Sequence, residues 1–200
     1  MSTIFAFDLD GTLTTAEVLP VIANELGLMD EMRTLTEITL AGLITFEASF
    51  RLRIAILKSI PISQVQEIVA EIPIDPELEK FIEKYRSQCV IVTGNLDVWV
   101  KPIIEKLGCR AFTSSSIVNN NQLCGINTIM HKSQPIQVLK ENNDKVVTIG
   151  ESVNDIPMFE VADIGVAYGG VHDPVKDLVE ISDYVAFHGG ALCRLLSTLL

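Results

Sequence analysis

Asp8 and Asp10 stand two residues apart at the end of an apolar run, and Gly11 and Thr12 follow at once. Thr93, Gly94 and Asn95 follow a second apolar run, and Glu151, Asn154 and Asp155 follow a third. Lys132 opens the helical stretch before that third run. Carboxylates can act as nucleophile, as proton donor and acceptor, or as ligands to a hard cation. A lysine supplies counter-charge, and glycine or threonine turns supply N–H and O–H donors. Taken singly, each feature has an ordinary reading: Asp10-Gly11 as a turn, Thr93-Gly94 as a loop, Lys132 as a solvated surface lysine. Together they lie where an open α/β sheet binds its ligands, outside the carboxyl ends of the strands.

That argument needs the strands. Runs at residues 4–7, 90–92, 146–149, 164–167 and 184–187 lack polar alternation, as strands covered on both faces do. Helical stretches at 76–87, 97–107, 134–142 and 157–162 separate them, so the expected fold is α/β, with a doubly wound, mainly parallel sheet. One section breaks the alternation: residues 18–26, 31–44, 46–60 and 63–72 read as helices divided by Gly27, Gly42 and Pro61. The expected division is a core of residues 1–13 and 73–200, with residues 14–72 a small helical cap inserted after the first strand. Residues 114–130, with Asn119-Asn120-Asn121 between short apolar stretches, read as a β-hairpin.

The chain has 200 residues, 48% of them hydrophobic and 20% charged, which fits one folded domain with a modest insertion and excludes intrinsic disorder. Its net charge of −11 argues against nucleic acid or an anionic membrane surface as partner, though not against a small anionic substrate. No apolar run reaches the roughly 18 residues of a membrane span, and the start MSTIFAFDLD carries no basic leader segment. Four cysteines without a CxxC pair read as buried thiols of a reducing compartment, so a cytoplasmic location is expected. Nothing in the sequence fixes an oligomeric state.

The stretch Asp8-Leu9-Asp10-Gly11-Thr12-Leu13-Thr14 resembles the DxDGT signature of the haloacid dehalogenase (HAD) superfamily, in its phosphatase branch. Thr93, Lys132 and Gly150-Glu151-Ser152-Val153-Asn154-Asp155 follow in that superfamily's order, and the inserted helices match its cap. The resemblance implies a phosphomonoesterase. A phosphate ester is anionic and resists an anionic nucleophile unless a divalent cation and positive donors offset the repulsion. By resemblance, Asp8 attacks phosphorus and Asp10 serves as acid and then base. Mg²⁺ is held by Asp8, the Asp10 carbonyl and an acid from Glu151 or Asp155. Gly11, Thr12, Thr93, Gly94 and Asn154 contact the substrate, and Lys132 neutralises charge. Two positions depart from the pattern. Glu151 stands where the family usually has Asp, which moves the carboxylate by roughly 1.5 Å. Asn95 stands where the phosphoserine phosphatases tend to have a second glycine, and its side chain is expected to narrow the pocket.

Caps of the phosphoserine phosphatase kind carry a glutamate after the nucleophile and an arginine on a later helix. By resemblance these are Glu17 and Arg53, binding the amino and carboxylate groups of phosphoserine or a similar small phosphorylated amino acid. Locally, Glu47 and Arg51 are i, i+4 partners, whereas Arg53 shares an apolar face with Phe46, Phe50 and Leu57. Such an arginine either snorkels to water or meets an anion from elsewhere. Thr14-Thr15-Ala16-Glu17 also fits a capping box, in which Glu17 would only satisfy a backbone N–H. Another small phosphorylated metabolite as substrate, and a hydroxyl other than water as phosphoryl acceptor, are the alternatives within the enzyme class. A receiver domain would lack the second carboxylate with its Gly-Thr and the helical insertion, and a catalytically dead binding module would have Glu151 as its lesion.

Overall fold

The computed structural model describes residues 2–143 and 145–200, with the side chains of Leu40 and Phe46 also outside the description. Seven strands form one sheet in the order β4-β3-β2-β1-β5-β6-β7. They are β1 (Thr3–Phe7), β2 (Cys89–Leu96), β3 (Arg110–Asn119), β4 (Gln122–Thr128), β5 (Lys145–Gly150), β6 (Ile164–Tyr168) and β7 (Tyr184–Ala186). All neighbours pair in parallel except β3 and β4. The apolar runs form strands because both faces are covered. Along β1, Phe5 and Phe7 enter one core layer and Ile4 and Ala6 the other. Along β2, Cys89 and Ile91 alternate in the same way with Val90 and Val92.

One layer is completed by α5 (Pro76–Lys84), α6 (Asp97–Leu107) and α10 (Gly189–Thr198). The other is completed by α7 (Ser133–Asn142), α8 (Ile156–Phe159) and α9 (Lys176–Glu180). Phe81 of α5 sets its ring edge on Phe5, with centroids 5.4 Å apart.

Between β1 and α5 the chain forms α1 (Val18–Glu25), α2 (Met29–Leu40), α3 (Phe46–Leu57) and α4 (Ile62–Ala70). Their buried side chains, among them Ile22, Ile54, Leu57 and Val65, continue the first core layer. The chain leaves and re-enters the sheet side by side. Thr14 bridges Ile74, the Thr15 N–H donates to the Pro73 carbonyl (2.9 Å), and the Asp75 N–H donates to that of Leu13 (2.9 Å).

The expected hairpin forms within residues 114–130, its antiparallel pairs running from Ser115–Thr128 to Asn119–Gln122. Arg110, Ala111 and Phe112 extend β2's side of the sheet in parallel before β3 turns into β4. Asn120 and Asn121 have φ of 46° and 66°, the conformation of a two-residue primed turn, which asparagine tolerates better than most residues. Asn121 also anchors α4. Its carbonyl accepts from the Ile62 N–H, its Oδ1 from the Ser63 N–H, and its Nδ2 donates to Ser63 Oγ, each at 2.9 Å. The thiols divide: Cys89 and Cys109 are buried, Cys193 is half-buried, and Cys124, expected to be buried, is exposed on outer strand β4. Among the described residues no helix is long and apolar enough to cross a membrane.

Asn121→Ala disfavours the turn conformer and removes the two side-chain bonds that anchor α4, and should destabilise the protein by about 1–3 kcal/mol in urea unfolding. Asn121→Gly restores the turn alone and should recover part of that loss. Equal stability of all three proteins would show that the turn does not hold α4.

Candidate active site

The site grows from the carboxyl end of β1. After Phe7 the chain winds through a tight turn, Leu9–Leu13, in which Gly11 takes φ +69°. That conformation favours glycine, and the space demands it too, because a Cβ on Gly11 would lie 2.3 Å from Glu151 Oε1. The Glu151 carboxylate therefore lies directly over the loop bearing Asp8 and Asp10. Gly150 is tied similarly to Asp155, whose Cγ would be 2.5 Å from an added Cβ.

Lys132, just before α7, reaches across with its ammonium buried. It donates to Asp8 Oδ1 and, at 2.6 Å, to Asp155 Oδ1. Asp155 Oδ2 accepts from the Glu151 N–H, the Ser152 N–H and Ser152 Oγ at 2.9, 2.9 and 3.2 Å. With four donors on its two oxygens, Asp155 has little acceptor capacity left. In this arrangement it orients Lys132 and fixes the Glu151 backbone.

Asp10 is held from two sides. Its Oδ1 accepts from the Val18 N–H at the start of α1 (2.7 Å), and its Oδ2 from Asn95 Nδ2. Asn95 also donates through its backbone N–H and its Nδ2 to Thr93 Oγ1, each at 3.2 Å. The Asn95 side chain thus turns toward Asp10 and Thr93.

Electrostatics follow from burial. Asp8 has its pKa raised well above the carboxylate range by burial, with Asp155 adding repulsion and Lys132 pulling it back. Asp10 is pushed up to about 6, by burial first, with the Val18 N–H and Lys132 opposing. Glu151 is pushed up to about 7 by burial, then by Asp155 and Glu17. Burial would lower Lys132, but Asp155 and Asp8 outweigh it and hold its pKa above the ordinary lysine value. Four carboxylates gather at this sheet edge with one buried lysine. That excess of negative charge, the all-oxygen donor set and the close seat of Glu151 on Gly11 suit a hard dication.

A cavity of about 520 Å³ opens above this edge. It brings together Asp8, Asp10, Glu17, Arg53, Gly94, Asn95, Lys132, Glu151 and Asn154. Gly11 and Thr93 lie outside its lining, as does Thr12, which faces a smaller cavity of about 220 Å³ beside Asp75 and Tyr168. The Thr12 hydroxyl is buried without a partner. The Thr14–Glu17 capping box does not form: Glu17 is the N-cap of α1 but its side chain makes no cap hydrogen bond, and Thr14 Oγ1 donates to the Leu9 carbonyl. Glu47 and Arg51 pair at 2.8 and 3.0 Å. Arg53 donates to Thr36 Oγ1 (2.8 Å) and Ser49 Oγ (3.4 Å), and no carboxylate pairs with it among the described residues. Phe46, its expected neighbour, has its side chain outside the described set.

The sequence reading missed Thr36, Ser49 and His131, which also line the cavity, and His172, 3.6 Å from Glu17. None carries a local motif. Only Ser49, four residues before Arg53, had a spacing that could have signalled it.

Glu151→Gln should stabilise the metal-free protein. The Glu151 pKa rises from 4.5 to about 7 on folding, so the folded chain keeps a proton that the unfolded chain releases, and metal-free stability should fall as pH rises across that interval. The Gln variant should flatten that fall by about 1–3 kcal/mol, and should also shrink the rise in Tm produced by Mg²⁺. Identical pH profiles of stability would contradict a buried, charge-crowded Glu151.

Sequence and fold both have counterparts among known proteins. Residues 5–160 match the family model described as haloacid dehalogenase-like hydrolase. A phosphoserine phosphatase of Methanocaldococcus jannaschii is 30% identical over 175 residues, covering 81% of this chain and 83% of that protein. A solved phospho-aspartyl intermediate analogue of phosphoserine phosphatase superposes with a TM-score of 0.75 at 27% identity, covering 92% of this chain and 93% of that one. A HAD family hydrolase from Salmonella enterica subsp. enterica serovar Typhi gives a TM-score of 0.82 at 25% identity, covering 92% of this chain and 66% of that one. With its strand order, its motif residues and its inserted helices, the chain belongs to the haloacid dehalogenase-like hydrolase family and is a phosphoserine phosphatase-like member of it.

Proposed function

We propose that this enzyme is a Mg²⁺-dependent phosphomonoesterase that works through an aspartyl phosphate on Asp8, with phosphoserine or a similar small phosphorylated amino acid as substrate. The observation that carries the reading is the buried Asp8–Lys132–Asp155 chain, which opens into a cavity bearing Glu17 and an arginine without a carboxylate partner. Asp8 attacks phosphorus, the ester P–O bond breaks, and the leaving alkoxide takes its proton from Asp10. Asp10 then removes a proton from water, which attacks phosphorus and releases phosphate from Asp8. The Val18 N–H and the Asn95 amide hold Asp10 in place for both transfers. Lys132 stays protonated and offsets the charge on Asp8 and the phosphoryl oxygens. Asp8, the Asp10 carbonyl and Glu151 would hold Mg²⁺, which supplies charge neutralisation at the transferring phosphoryl group. Gly94 and Asn154 line the phosphoryl end of the cavity.

Arg53 and Glu17 would bind the carboxylate and the amine of the substrate. Among the described residues the guanidinium hydrogen-bonds neutral groups, Thr36 Oγ1, Ser49 Oγ and Met32 Sδ, and feels the charge of Glu17 without pairing with it, so bidentate pairing with a substrate carboxylate is the expected form. Residues 14–72 would act as a cap, with the paired connections at Thr14 and Ile74 as its hinge, closing over substrate to exclude water. Four cysteines without a CxxC pair support a cytoplasmic setting. A second reading rests on the cavity, which a phosphorylated amino acid fills only in part: another small phosphorylated metabolite with an apolar portion, seated against Leu19, Phe50 and Met130.

Asp8→Asn should abolish phosphate release without loss of fold, and a variant that still turns over would refute the covalent mechanism. Across a panel of phosphorylated metabolites with free-phosphate detection, Arg53→Ala should lose about tenfold or more in kcat/KM only for substrates bearing a carboxylate. Uniform loss across the panel would remove Arg53 from substrate recognition.

A further inference from the structure

Three ligating side chains from distant parts of the chain converge beside the main site. They are Glu17 at the entry to α1, Glu151 after β5, and His172 in the loop between β6 and α9. One ligand atom from each lies within 4.8 Å of the others, and His172 Nε2 is 3.6 Å from Glu17 Oε1. Glu151 is only 6% exposed, and its Oε2 has no hydrogen-bond partner. A buried carboxylate oxygen without a donor is costly unless a cation or proton satisfies it. Ligand atoms around a tetrahedral ion at bonds of about 2.0–2.1 Å sit roughly 3.3 Å apart. The Glu17 and His172 side chains, 48% and 55% exposed, have room to close that distance.

We propose that Glu17, Glu151 and His172 form a site for a divalent transition-metal ion, Zn²⁺ foremost, which shares Glu151 with the position assigned to Mg²⁺ at Asp8 and competes with it. The imidazole makes the distinction. Mg²⁺ takes oxygen ligands, whereas one histidine with two carboxylates suits Zn²⁺ and leaves a fourth position open. Such an ion ties the helical insertion, through Glu17, to the sheet, through Glu151 and His172. It also draws Glu151 away from the Asp8 loop and Glu17 away from the cavity, so Zn²⁺ should oppose Mg²⁺-supported turnover. That inhibitory consequence rests on the proposed phosphatase reading; the binding itself does not.

The test is calorimetric titration of Zn²⁺ into the full, Mg²⁺-free chain, paired with the visible spectrum of the Co²⁺-loaded protein. The expected result is one equivalent of Zn²⁺ bound and a Co²⁺ spectrum without a thiolate charge-transfer band. His172→Ala, on an exposed loop outside the proposed catalytic and substrate-binding set, should weaken Zn²⁺ by about tenfold or more. Its Mg²⁺-supported turnover and its Tm should stay unchanged. Equal affinity in both proteins, a thiolate band, or no saturable binding by the wild type would overturn the site. A wild type that binds Zn²⁺ through His172 yet hydrolyses no phosphate ester would sink the phosphatase reading and leave the metal site standing.

Discussion

Everything at the carboxyl edge of the sheet is arranged around one buried ammonium. Lys132 cannot leave water cheaply, and it does so because Asp8 and Asp155 meet it on opposite sides. Asp155 in turn is fixed by the backbone of Glu151 and Ser152, and Gly150 makes room for it. Asp8 faces the cavity with one oxygen committed to lysine, at the end of a strand buried on both faces. The four acids exceed what one lysine can balance, so the site is assembled as an unfinished electrostatic structure. That excess suits a hard dication, which prefers oxygen ligands.

The replacement of the family's aspartate by Glu151 is absorbed by geometry. The longer side chain lies flat on Gly11, where any Cβ would collide with it. That contact ties the fourth motif to the first without moving β5, whose register with β1 runs unbroken from Lys145 to Ile149. The same length brings the carboxylate within reach of Glu17 and His172, a neighbourhood that a shorter acid would reach less easily. Asn95 is the second departure. It lines the cavity and its amide reaches Asp10, so Asp10 is held by β2 on one side and by the first turn of α1 on the other. Any movement of α1 relative to the sheet is therefore felt at Asp10.

The sheet was legible wherever a strand is buried on both faces, because continuous apolar runs leave no other reading. The parallel start of β3 was not, since Arg110 to Phe112 are half-exposed and pair by tertiary context. Helix α10 was hidden by Gly189 and Gly190 at its start, and α9 by its five residues. The motif residues stood out because each follows a strand, which is a local signal. What joins them is not local: Asn95 to Asp10, Lys132 to Asp155 and His172 to Glu17 are contacts between segments far apart in the chain. The role of Asp155 was ambiguous for the same reason, since only the positions of Lys132 and the Glu151 backbone show how its oxygens are spent.

The central claim is that Asp8, backed by Lys132, accepts the phosphoryl group. Rapid mixing with phosphoserine and Mg²⁺, an acid quench within one turnover and peptide mapping by mass spectrometry would test it directly. The account predicts a single phosphoryl group on the peptide that carries Asp8, formed and lost within the turnover time. Phosphate release with no labelled peptide at any quench time, or a label on a peptide lacking Asp8, would contradict it.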